Sequence, residues 1–121
     1  MIIRSEQMET LAYHSLVERT VDHLLANYPR ESSRYSRAEL VDLVTASFRR
    51  AEGYGMSADQ SLQAFAALSL TISPQFDEHP RIRKILLDAA VPPDLRVNLL
   101  GECTIDRDWE EARKLNNAKD S

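Results

Sequence analysis

The stretch that decides the fold is residues 40–80, LVDLVTASFRRAEGYGMSADQSLQAFAALSLTISPQFDEHP. It holds two segments with helical spacing of apolar residues, joined at Gly53-Tyr54-Gly55 and followed by an acidic Ser-Pro turn. A connection this short predicts that the two helices pack side by side as a hairpin. The stretch has no layout typical of a catalytic site, so it indicates architecture before function.

The two helices carry clear start signals. Ser36 followed by Glu39, and Ser57 followed by Gln60, are both predicted capping boxes, in which each side chain satisfies an amide of the first turn. Each helix has one face predicted to pack in the core. These faces are Leu40, Val44, Ser47, Phe48 and Ala51 on the first helix, and Ala58, Leu62, Phe65, Ala66, Ser69 and Ile72 on the second.

Glycine and proline punctuate the rest of the chain. Gly53 or Gly55 is expected to end the first helix of the hairpin in the left-handed conformation. An earlier helix over 5–28, with Ser5 as its cap, should stop before Pro29. The segments predicted after the hairpin are a helix that begins at Pro80, a short helix over 94–100 ended by Gly101, a last helix capped by Thr104 or Asp106, and a polar tail over 116–121.

The pattern therefore predicts an all-α fold, a single domain over 1–121 with about five to six helices around a central helical hairpin. Net charge is −4, from 15 basic and 19 acidic side chains, and no segment forms a basic stripe, so nucleic acid is not expected as a partner. No apolar run approaches the roughly 20 residues that a membrane helix needs. The lone Cys103 cannot pair within the chain, which favours a cytoplasmic location.

One polar stripe of the first helix has metal-ligating residue types. His14, Glu18 and Asp22 recur every four residues and share a face, and His and carboxylates are ordinary ligands of divalent metals. The alternative is a solvated face opposite the apolar stripe, and we favour it. No metal and no cofactor is expected.

Two further patterns resemble motifs that they do not complete. The run Asp106–Glu110 opens like a calcium loop, but Glu111 stands where that loop needs glycine. Gly53-Tyr54-Gly55 follows a helix, whereas phosphate-binding glycine loops follow a strand. Together with the absence of a recognisable nucleophile–base pattern around Cys103, this predicts that the chain has no catalytic residues.

The most suggestive cluster is Phe76 with Asp77, Glu78 and His79. Three ionisable groups beside an aromatic side chain are typical of a recognition edge on a loop. The alternative is local: Phe76 fills the core beneath the loop, while Asp77 or Glu78 favours the N-terminus of the next helix.

Four short groups of residues follow one another over about residues 5–90. They are Gln7-Met8-x-x-Leu11, His23-Leu24-x-x-x-Tyr28-Pro29, Ala51-x-x-Tyr54-Gly55-Met56, and Phe76-Asp77-Glu78-His79-Pro80 followed by Ile85-Leu86. In this order they resemble a family of small all-α proteins encoded beside type VI secretion effectors of the PAAR and Rhs types and their adaptor chaperones. The chain departs from the family around Arg83 and Lys84, where similar sequences carry Trp-Ala.

The resemblance implies an accessory role: the chain would bind a secreted effector, or the adaptor chaperone that loads it, without catalysing a reaction. An immunity protein that binds and neutralises a cognate toxin domain is the alternative. An enzyme is not expected.

Several apolar side chains lie off the predicted core stripes and are available for a partner or a second copy of the chain. They include Leu16 and Leu43. Docking is predicted on the hairpin, with the acidic turn as a polar rim. The predicted contact residues are Leu68, Leu70, Tyr54, Phe76, Asp77 and Glu78.

Overall fold

The computed structural model describes the backbone of residues 2–104 and 106–120, and side chains within 13–100, 104 and 106–115. Over this part of the chain it contains seven α-helices and no strand, which confirms the all-α prediction. The elements are α1 (Ile2–Asn27), α2 (Pro29–Ser32), α3 (Arg37–Gly53), α4 (Asp59–Thr71), the 3-10 turn Phe76–Glu78, α5 (Pro80–Leu86), α6 (Pro93–Cys103) and α7 (Asp106–Asp120).

The α3–α4 hairpin is the centre of the bundle. Ser36 begins α3 with the predicted capping box: its hydroxyl accepts from the Glu39 amide at 3.1 Å, and its own amide donates to the Glu39 carboxylate at 2.9 Å. Phe48 of α3 and Phe65 of α4 are fully buried. Helices α1, α2 and α6 pack directly on this hairpin.

The joint of the hairpin turns at Gly55. Its φ of +92° lies in the left-handed region, which an L side chain rarely adopts. Gly53 instead is the last residue of α3. A Cβ on Gly55 would also lie 3.1 Å from the Pro93 side chain, because the start of α6 packs onto the joint. Only glycine meets both demands.

The second predicted capping box is wrong. Ala58 is the N-cap of α4 and makes no side-chain bond there. Instead the Asp94 carboxylate accepts from the amides of Ser57 and Ala58, each at 2.9 Å, and the Ser61 hydroxyl donates to the Asp94 carbonyl at 2.8 Å. A carboxylate from the first turn of α6 thus binds the Ser57 amide, which the Gln60 side chain had been expected to bind, and the Ala58 amide as well.

Arg96, two residues further along α6, binds carbonyl groups at the C-terminal ends of other helices. Its guanidinium donates to the carbonyls of Tyr54, Leu86 and Val91 at 3.1, 3.0 and 2.9 Å. Carbonyls at the ends of α3 and α5 have no partner within their own helices, and a cation is favoured there. The start of α6 thus caps α3, α4 and α5 together.

Some predicted helix boundaries are confirmed and others are corrected. Pro29 ends α1 as predicted but also begins α2, and Pro80 occupies the first turn of α5. Gly101 does not end α6, which continues to Cys103, since one helical glycine costs only about 1 kcal/mol. The predicted start of the first helix and the predicted polar tail are also corrected: α1 begins at Ile2, ahead of Ser5, and α7 extends into the tail as far as Asp120. The burial of Cys103 lies outside the described side chains.

Among the described helices none combines the length and the apolarity that crossing a bilayer requires.

Replacing Gly55 with Ala should destabilise the fold by about 1–2 kcal/mol, because the new Cβ meets both a positive φ and Pro93. Gly53→Ala is the matched control, since a Cβ there has no atom within 4 Å. That variant should be neutral or slightly more stable. Urea denaturation checks both, and equal midpoints for the two variants would contradict the account of the joint.

Candidate functional site

The six predicted contact residues separate into two groups. Leu70, Phe76 and Asp77 are buried, with exposed fractions of 8%, 0% and 4%, so the expectation that they form part of a surface is wrong. Leu68, Tyr54 and Glu78 are half-buried.

Leu70 is buried because α4 packs against more than one neighbour. Besides α3, it contacts α1, α2 and α6. A helix surrounded on several sides buries apolar residues outside a single stripe. The off-stripe position of Leu70 therefore widens the core instead of marking a docking site, and the same holds for Leu16, which exposes 6% of its surface.

Four residues form what we call the turn network: Arg50, Tyr54, Asp77 and Glu78. The guanidinium of Arg50 donates from Nε and Nη2 to Asp77 Oδ1 at 3.0 and 2.7 Å, and from Nη2 to Glu78 Oε2 at 3.2 Å. The Tyr54 hydroxyl donates to Asp77 Oδ2 at 2.8 Å. Both oxygens of a buried carboxylate are thereby bound to the end of α3.

The network settles the two interpretations of the acidic turn. Phe76 fills the core against Phe65, with ring centroids 4.7 Å apart, so that part of the local interpretation is confirmed. The carboxylate of Asp77 does not serve the next helix, whose N-cap is His79. Asp77 instead ties the turn to the hairpin.

The chemistry of Tyr54 follows from its place in this network. Burial first, and then the hydrogen bond to Asp77, raise the pKa of the Tyr54 phenol well above its ordinary value of 10.0. A phenol with a raised pKa stays protonated and acts as a hydrogen-bond donor. This favours a structural role over a nucleophile or general base.

A second cluster joins α7 to the start of α5. Potential ligand atoms of His79, Asp108 and Glu111 all lie within 4.8 Å of one another, as at a metal site. However, His79 Nδ1 accepts from the Arg81 amide at 3.2 Å, so the proton of the neutral ring is on Nε2, which lies 3.1 Å from Glu111 Oε1. A metal at Nε2 would need that lone pair. Arg81 also lies 3.6 Å from Asp108. The cluster is best described as a set of bonds that fixes α7.

In the predicted stripe of metal-ligating residue types on α1, both carboxylates are paired with an arginine. Arg37 at the start of α3 donates to Glu18 at 2.5 Å and to Asp22 at 3.0 Å, and all three side chains are about half exposed. His14 is exposed on the same helix. This agrees with the predicted solvated face.

One of the open surface pockets is a groove between α4 and α7 of about 320 Å³. We call it the α4–α7 groove, and its lining residues are Leu68, Ile72, Asp106, Trp109, Glu110 and Arg113. Leu68, Ile72 and Trp109 are half-buried and pack on the core, so their outer edges form an apolar floor. Of the predicted contact residues, Leu68 alone lies in this groove.

Sequence reasoning missed two residues that matter here. Arg50 is one helical turn before Tyr54 on α3, and this spacing beside a later acidic pair was the only available signal. Trp109 is the single tryptophan and lies in the last predicted helix, to which no partner surface was assigned. Its place in one groove with Leu68 could not be deduced from spacing, because the two residues belong to helices far apart in the sequence.

No protein-family model, curated protein or solved structure matches the chain. The resemblance to proteins encoded beside type VI secretion effectors therefore stays a prediction.

Replacing Asp77 with Asn should lower the free energy of unfolding by about 2–4 kcal/mol, because it leaves Arg50 without its buried partner. Glu18→Gln is the matched control, an equal change to an exposed carboxylate paired with an arginine, and should cost less than about 1 kcal/mol. Urea denaturation measures both, and comparable losses would show that the turn network is energetically unimportant.

The raised pKa of Tyr54 predicts a loss of stability at alkaline pH. Above the ordinary value of 10.0 the unfolded chain releases this proton while the folded chain retains it, so unfolding becomes more favourable as pH rises. Below pH 10 the raised pKa of Tyr54 makes its full contribution to the free energy of unfolding. In Tyr54→Phe the melting temperature should fall less steeply above pH 10 than in wild type, and identical slopes would contradict the assignment.

Proposed function

We propose that the protein is a non-catalytic, cytoplasmic binding protein for a type VI secretion effector or its loading chaperone, and that the partner docks in the α4–α7 groove. The observation that carries the binding role is the half-buried Trp109 beside Leu68 and Ile72 in an open groove. Tryptophan, with tyrosine and arginine, is enriched among the side chains that contribute most of the binding energy at protein interfaces.

The ionisable clusters support binding over catalysis. In the turn network both Asp77 oxygens accept hydrogen bonds, and in the α7 cluster both ring nitrogens of His79 have partners. Groups held in this way serve the fold. A catalytic acid or base needs access to a substrate proton instead.

The kind of partner rests on the family resemblance. Secreted effectors contain apolar segments that need cover before loading, and a helical bundle with an apolar groove is suited to receive an amphipathic segment. The lining of the groove offers both carboxylates and a guanidinium, Asp106, Glu110 and Arg113, as a polar rim around the apolar floor.

The test is capture of the partner from the native host by the full chain. Leu68→Asp should reduce capture at least tenfold, since a carboxylate on the apolar floor would be desolvated by the partner. Leu25→Asp is the matched control, because Leu25 is 39% exposed on α1 and does not line the groove, and it should capture normally. Circular dichroism checks that both variants fold.

The identity of the captured protein separates the two roles. An intact effector or its adaptor supports the accessory role. Capture of a toxic domain alone, together with rescue by this protein of cells that express the domain, would show an immunity protein instead. Equal capture by Leu68→Asp and wild type would remove the groove from the proposal.

A further inference from the structure

On the face of α7 that lines the groove, negative and positive side chains are separated along the helix axis. Asp106 and Glu110 lie toward its start, and Arg113 follows three residues after Glu110, about 4.5 Å further along the helix axis. All three side chains are exposed. Within the part of the chain whose side chains are described, none of the three makes an ion pair.

This arrangement differs from the other charged clusters. Arg37, Arg50 and Arg81 each lie against a carboxylate of the same chain. Glu110 and Arg113 could also pair along their own helix, because residues three apart are neighbours on its surface. They do not, and both line the groove beside Trp109.

A helix with an acidic residue before a basic one is complementary in charge to a second, antiparallel copy of itself. If two α7 helices lie antiparallel about a two-fold axis between positions 110 and 113, the Glu110 carboxylate of each copy faces the Arg113 guanidinium of the other. A two-fold interface repeats each contact, so one complementary pair becomes two. The apolar floors, with Leu68, Ile72 and Trp109, meet across the same axis.

From this charge complementarity we infer that the α4–α7 groove pairs two copies of the chain as an isologous dimer through antiparallel α7 helices. The inference goes beyond the proposed function and does not depend on it. Since both use one groove, the partner and the second copy would compete for it.

Sedimentation of the purified chain tests this directly, from about 1 to 200 µM, the range in which small interfaces dissociate. Wild type should approach twice the 13.8 kDa chain mass as concentration rises. Glu110→Arg and Arg113→Glu each place two like-charge pairs in the interface and should raise the dimer Kd at least about tenfold. Lys114→Glu is the matched control, an exposed cation of α7 that does not line the groove, and it should dimerise like wild type.

Mixing the two groove variants makes the test independent of any loss of folding. In the mixed dimer, one chain presents two cations and the other two carboxylates, so both contacts become attractive and the dimer should return. A monomeric wild type throughout the range overturns the inference, even if partner capture depends on the groove. Dimerisation unaffected by either variant, or an equimolar mixture that stays monomeric while each variant is folded, also overturns it.

Discussion

The hydrogen bonds to the buried Asp77 carboxylate are the interaction on which the positions of the 3-10 turn, α5 and α7 depend. A charge with 4% of its residue surface exposed is costly unless its oxygens are bound, and Arg50 and Tyr54 at the end of α3 supply those bonds. The bonded carboxylate fixes the 3-10 turn, and the turn places Phe76 against Phe65. The turn also packs against α5 and α7, so the position of both helices follows from it.

The groove is a consequence of that placement. His79 and Arg81, which directly follow the turn, hold Glu111 and Asp108 of α7. With α7 fixed in this way, Trp109 lies opposite Leu68 of α4, and the charged residues on either side of Trp109 line the opening. A feature suited to protein binding thus arises from contacts that are themselves structural, and the buried Phe76 and Asp77 of the turn support the groove without lining it.

Local sequence signals predicted several elements correctly, although Ser57 with Gln60 and Gly101 show that a local signal can also fail. The capping box at Ser36, the left-handed Gly55 and the start of α5 at Pro80 are local, and all are confirmed. The contacts that the sequence did not predict join segments far apart in the chain. Asp94 caps amides 36 and 37 residues earlier, and Arg50 meets Asp77 across 27 residues. Residue types cannot specify such partners before the helices are arranged, and the same holds for the groove, which needs α4 and α7 together.

Quenching of tryptophan fluorescence by acrylamide tests the link between the buried carboxylate and the groove most directly, because Trp109 is the single tryptophan. Wild type and Asp77→Asn should be compared under conditions where circular dichroism shows both to be folded. Because loss of the turn network releases the turn that positions α7, Trp109 should be more accessible to acrylamide in Asp77→Asn. Equal quenching in the two folded proteins would show that the groove forms without the Asp77 contacts, and would contradict the account.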